Sequence, residues 1–98
     1  MWQQSQIRGQ DGLGVITNVA VDINWTLLPA IPLEDRNVIG IQNRSGYTIY
    51  LNYDNTATWG DSWNLDDGEQ VFVQIKNGVN LYACTEAATV AIRVWEQV

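Results

Sequence analysis

From Gly14 onward, apolar and polar residues alternate at a period of two, broken by turn formers every eight to twelve positions. That rhythm leaves little to build except antiparallel strands stacked as a sandwich or barrel. In Tyr47-Thr48-Ile49-Tyr50-Leu51-Asn52-Tyr53 the odd positions are apolar or aromatic and the even ones mostly polar, so one face is buried. The same pattern sets Val71, Val73 and Ile75 against Phe72, Gln74 and Lys76, and Val90, Ile92 and Val94 against Ala91, Arg93 and Trp95. Ile39 with Ile41, and Leu81 with Ala83, supply two more strands, and the β-branched stretch from Val15 to Leu27 another. The expectation is an all-β fold: one antiparallel β-sandwich, jelly-roll or Ig-like, of about six to eight strands. No segment carries a helical stripe; Leu33 to Arg36 suffice for one turn.

Asn77-Gly78 lies between two such runs and predicts a hairpin with a type I′ turn, whose central residues need positive φ. Asn43 to Gly46 and Asp67-Gly68 predict further turns, while Pro29 and Pro32 bracket a connection outside the sheets, since each removes a ladder donor. Residues 1–13, rich in glutamine and glycine, show neither periodicity and are read as an extended N-terminal arm ahead of a β-sandwich domain over 14–98. The arm's large apolar groups, Trp2 and Ile7, are either anchors for a neighbour's pocket or parts of a frayed terminus.

Ninety-eight residues allow one domain, and 46% apolar against 16% charged residues is too hydrophobic for disorder. A net charge of −6 has the wrong sign for gripping a phosphate backbone, so no nucleic acid is expected. The absence of histidine removes the commonest general base and metal ligand, and one cysteine, Cys84, allows neither an intrachain disulfide nor a thiolate zinc cage. No apolar run approaches the ~18 residues of a membrane span, and the first residues carry no leader pattern. The expectation is therefore a soluble non-enzyme without cofactor, metal or membrane contact.

Asp66-Asp67-Gly68-Glu69 is the densest acidic cluster; it matches no calcium-loop spacing and is read as an acidic turn. Trp59 and Trp63, four apart in a polar loop, either close an end of the sandwich, face a partner protein or stack on a sugar ring, with Tyr53, Asp61 and Asn64 nearby. Trp95 shares its strand's polar face with Arg93 and, with Phe72 and Tyr50 similarly placed, makes an apolar patch if those faces are open. A single lysine beside seventeen Asn and Gln and five Trp resembles a surface committed to neighbours. Trp2, Ile7, Trp59, Trp63 and Trp95 are the candidate partner-interface residues.

Leu28-Pro29-Ala30-Ile31-Pro32-Leu33, Arg36, Ile39-Gly40-Ile41-Gln42-Asn43, Ile49-Tyr50-Leu51, Leu65-Asp66-Asp67-Gly68-Glu69, Leu81-Tyr82-Ala83 and Ile92-Arg93-Val94-Trp95-Glu96 follow one another in a telling order. Over roughly residues 25 to 96 the chain resembles a small β-sandwich module of virion structural proteins in tailed bacteriophages. In that frame Arg93 is placed to pair with a carboxylate such as Glu96 or with a carbonyl. The tryptophan-rich loop and the glutamine-rich arm depart from the module. The resemblance implies a capsid decoration or cement protein, synthesised in the host cytoplasm and sitting on the capsid surface as homotrimers that bridge neighbouring major capsid subunits. Alternatives are a tail, fibre or head-to-tail connector component, or a carbohydrate-binding module for host recognition with a glycan as partner.

Overall fold

The computed structural model describes residues 4–8 and 13–98, with side chains from residue 14 onward. Among these residues nine strands form two antiparallel sheets: β1 (Gln4–Arg8), β2 (Leu13–Val21), β3 (Thr26–Leu27), β4 (Val38–Gln42), β5 (Ile49–Asn52), β6 (Trp63–Leu65), β7 (Gln70–Gln74), β8 (Tyr82–Cys84) and β9 (Val90–Gln97). The five-stranded sheet runs β1-β2-β9-β4-β7 and the four-stranded sheet β3-β8-β5-β6. The fold is the β-sandwich expected. The strand count exceeds expectation because β1 and the three-residue β6 fall in segments without a readable alternation, and the stretch from Val15 to Leu27 breaks into β2 and β3. The break follows Asp22, whose carboxylate accepts a hydrogen bond from the Asn24 N–H (2.8 Å) and turns the chain there.

The period-two faces became the two sides of the sheets. Val19 and Val21 of β2, Ile39 and Ile41 of β4, and Ile92 and Val94 of β9 point inward from one layer; Ile49, Leu51, Leu65 and Ala83 meet them from the other, with Leu28, Ile75 and Leu81 from the connections. Each fully buried aliphatic side chain here contributes about 1.5–3 kcal/mol by leaving water.

Within the segment read as an arm, Gln4–Arg8 pairs antiparallel with β2, from Gln4 opposite Thr17 to Arg8 opposite Leu13. Its polar side chains hid it: a strand at a sheet edge needs backbone pairing more than apolar alternation. Trp2 lies outside the described residues; for Ile7 only the backbone pairing, opposite Gly14, is described.

The Asn77-Gly78 hairpin is not formed. Only Gly78 has positive φ (85°), Val79 N–H donates to Lys76 O (3.1 Å), and the turn carries the chain from β7 in one sheet to β8 in the other. Asn77 spends its side chain instead on the β3–β4 connection, accepting a hydrogen bond from Asp35 N–H (3.0 Å). From β2 to β9 every connection but β5–β6 crosses between layers, so most turns in this chain reverse it without making a hairpin. Pro29 and Pro32 do sit in a connection free of strand, between β3 and β4, and the Leu28–Pro29 bond is cis.

Candidate partner interface

β7 is an edge strand whose backbone is unusually bare. Asn43 N–H donates to Glu69 O (2.9 Å) and Ile75 N–H to Asn37 O (2.8 Å) at the two ends of the β4–β7 ladder. Antiparallel pairs alternate between bonded and non-bonded, so the odd residues of β7 direct their N–H and C=O groups at β4. The even ones, Gln70, Phe72 and Gln74, direct theirs outward, where no strand of the described residues follows. Gln70-Val71-Phe72-Val73-Gln74 also carries no charge and no proline, the usual means by which an edge is made unattractive.

Both sides of this strand carry apolar side chains. Inward, Val71 and Val73 are only half-buried and, with Leu51, Asn52, Tyr53, Trp63 and Leu81, line an open groove of about 400 Å³ where the two sheets part. Trp63 stands opposite Leu51 in the β5–β6 ladder and so belongs to the inner face, yet among the described residues it is 69% exposed. Outward, Phe72 (57% exposed) meets Trp95 edge-on with ring centroids 5.5 Å apart, across Gly40 of the intervening strand. A Cβ at Gly40 would lie 2.6 Å from Phe72 Cε1 and 3.2 Å from Trp95 Cε3, so glycine is what lets the two rings meet. Ile16, opposite Trp95 on β2, extends the patch. The Trp95 Nε1–H is buried with no hydrogen-bond partner among the described residues.

Trp59 stands elsewhere. It lies in a 3-10 turn (Trp59–Asp61) of the β5–β6 connection and packs on Tyr50, centroids 5.1 Å apart. Tyr50 alternates with buried Ile49 and Leu51, so this contact is on the outer face of the four-stranded sheet. The connection is pinned from below: Trp25 Nε1–H donates to Ala57 O (2.8 Å), Ser62 Oγ–H to Thr58 O (2.8 Å), and Asn52 Nδ2–H to Ser62 Oγ (3.0 Å). The two indoles of the loop therefore face opposite sides of one sheet and form no common platform, and neither closes the sandwich. Tyr50, expected beside Phe72 and Trp95, is likewise on the other outer face. The open β7 backbone is the feature that the sequence reading misses; an uncharged QVFVQ run with an aromatic at its centre is its signal.

Tyr50 also donates its hydroxyl to Glu86. That bond, then desolvation and the Glu86 charge, pushes the phenol up from 10.0 to about 12. A proton kept in the folded state but lost in the unfolded one stabilises the fold below the ordinary tyrosine range, and the contribution disappears as pH rises from about 10 towards 12. Ultraviolet titration should find one phenol ionising near 12, with Glu86→Gln bringing it back towards 10; a tyrosinate spectrum complete by pH 11 would contradict the bond.

The ends of β7 are held by buried polar groups. Arg36 (1% exposed) donates from NH1 to Glu96 Oε2 and to Leu28 O, and from NH2 to Val79 O, each at 2.9 Å, while Leu33 N–H donates to the same Glu96 oxygen (2.7 Å). Glu96 is thus the buried partner of Arg36, and not of Arg93, which is exposed. Position 96 alternates onto the inner face with Ile92 and Val94, where position 93 cannot reach it. At the other end, Asn43 (0% exposed) joins the β4–β5 and β6–β7 turns.

The acidic cluster is a turn, with Gly68 at φ 86°. Its carboxylates accept internal hydrogen bonds, Asp67 from Gly46 N–H (2.9 Å), Asp66 from Thr48 Oγ–H (3.0 Å) and Glu69 from Asp66 N–H (2.7 Å). Among the described residues no group of three or more His, Cys, Asp or Glu is arranged to hold a metal ion. Cys84 is buried (2% exposed), which pushes its thiol pKa up and away from reactive thiolate.

No protein-family model matches the chain, and no curated protein matches it. Among solved structures it is similar to the crystal structure of protein NMB1881 from Neisseria meningitidis, with a TM-score of 0.53 and 14% identity over 99% of this chain and 85% of that one. A likeness at that identity concerns the fold alone.

Proposed function

We propose that this chain is a non-enzymatic structural protein of a tailed-phage particle, a capsid decoration or cement subunit that bridges neighbouring major capsid subunits. The observation that carries the reading is that exposed aromatic surface lies on separate faces: Phe72 with Trp95 outside one sheet, Trp63 in the groove, and Trp59 outside the other sheet. A bridge needs at least two contact surfaces, one for copies of itself and one for what it binds. The phage setting comes from the sequence resemblance over residues 25 to 96. Bridging adds buried interface across capsomer seams against the outward pressure of packaged DNA, and several modest contacts on one particle hold by effective concentration.

The test is addition of the purified protein to particles that lack it. Saturable binding and raised resistance to heat are expected, with Trp59→Ala weakening binding roughly tenfold, the scale of an aromatic anchor. A protein that never binds particles sinks the reading. A second reading, glycan binding, has one observation in its favour: Trp63, Tyr53 and Asn52 share a groove, an indole for a sugar's C–H face beside an amide for its hydroxyls. Glycan-array binding lost in Trp63→Ala, without particle binding, is the outcome that selects it. Ring stoichiometry in an assembled particle separates a head-to-tail connector from a head protein.

A further inference from the structure

The geometry points to β7 as the seam between two copies of this chain, paired antiparallel about a two-fold axis at Phe72 into one continuous ten-stranded sheet, a dimer in place of the homotrimer that the sequence resemblance implies. This rests on reading the β7 edge as an interface and names its partner.

The first argument is parity. A strand can be added only through residues whose N–H and C=O groups face outward, and on β7 these are the even ones, Gln70, Phe72 and Gln74. A two-fold axis at Phe72 sets Phe72 against Phe72 of the second copy and Gln70 against Gln74 of the second copy. Each such pair joins two outward-facing residues, so every one can exchange both backbone bonds.

The second argument is charge. β7 itself is neutral, but the acidic turn Asp66-Asp67-Gly68-Glu69 precedes it and Lys76, the chain's single lysine, follows it. Lys76 is exposed and makes no ion pair among the described residues. In the antiparallel register Lys76 of each copy falls opposite Gly68 of the other, between Asp67 and Glu69. A parallel arrangement would set acid against acid and lysine against lysine. Opposed charge at both ends fixes direction and register, which is the role of rim charges at interfaces.

The third argument is continuity of the apolar surface. The Trp95–Phe72 patch would run across the axis into its copy, and the half-buried Val71 would face Val73 of the second copy on the groove side. Isologous pairing of this kind closes on itself and stops at two, whereas an edge left open invites further strands.

The experiment is sedimentation of the purified chain over a range of concentrations, alone and as two variants. A dimer is expected for the wild type. Lys76→Glu places like charges across both ends of the seam, and Gln74→Pro removes an outward N–H that serves no ladder within the fold; each should weaken dimerisation by roughly tenfold or more while circular dichroism keeps its β signature. If Gln74→Pro does not fold, Lys76→Glu decides alone. A wild-type monomer, a trimer, or a dimer indifferent to Lys76→Glu overturns the inference. A monomer that still binds particles would sink this seam and leave the particle function standing, whereas a dimer that ignores particles would do the reverse.

Discussion

Arg36→Met is expected to destabilise the fold by about 3–5 kcal/mol in chemical denaturation, the cost of leaving a buried charge without its partner. Glu96 is 1% exposed and would keep only the Leu33 N–H, while Leu28 O and Val79 O would each lose a donor. The double variant Arg36→Met with Glu96→Leu should recover a good part of the loss, because it removes the stranded carboxylate and fills the space with apolar atoms. A single variant costing less than about 1 kcal/mol would mean that water reaches Glu96 and that the pair is not sealed. The consequence extends to the interface. Arg36 ties the end of β9 to the β3–β4 connection and to Val79 beyond β7, and that connection holds Ile75 through Asn37 O and Asn77 through Asp35 N–H. Loosening it should free the C-terminal end of β7 before the rest of the sheet, which hydrogen exchange at Gln74 to Gly78 would report.

Asn43→Leu is expected to cost about 2 kcal/mol, the scale for leaving the buried Leu65 carbonyl without its donor, since Ser45 Oγ–H (3.2 Å) still reaches Tyr47 O. The Asn43 amide donates to Tyr47 O (2.7 Å) and Leu65 O (2.9 Å), and its oxygen accepts from Ser45 N–H (3.1 Å) and Ser45 Oγ–H (2.7 Å). Its backbone also bonds Glu69 O (2.9 Å) and Gly68 N–H (2.7 Å). One side chain therefore closes two turns that cross between sheets, and leucine, of similar size, offers Leu65 O no donor. A drop in thermal midpoint of roughly 8 °C or more is the scale for a domain of this length. A shift of under about 2 °C would show that solvent replaces the amide. Because Asn43 anchors the acidic turn, the same variant should also weaken any association that depends on Asp67 and Glu69.

The strands were legible wherever one face is buried and the other wet. Ile49 and Leu51, Ile39 and Ile41, and Ile92 and Val94 all point inward as their spacing predicts. β1 was not legible, since Gln4 to Arg8 is held by pairing at an edge, and β6 was too short to show a period. Asn77-Gly78 announced a reversal of the chain but not its destination: turn chemistry is local, and whether the next strand joins the same sheet depends on which layer has room for Leu81 and Ala83. Of the two partners expected for Arg93, a carboxylate such as Glu96 or a carbonyl, alternation excludes Glu96 by putting the two on opposite faces. Trp59 and Trp63 read as one feature from closeness along the chain and stand on opposite faces of a sheet.

The amino-acid order by itself determined an all-β fold, the inward aliphatic positions of its longer strands and the turn positions, though not that Tyr47 and Tyr53 are exposed, because burial every second residue and positive φ at Gly46, Gly68 and Gly78 are properties of short segments. Only the tertiary structure decided that β7 has no neighbour on one side among the described residues, that Phe72 meets Trp95 across Gly40, and that Arg36 is sealed against Glu96 sixty positions away. Those facts depend on which strands lie side by side, and strand order is set by how the two layers share one core, a sum over the whole chain that no local pattern contains.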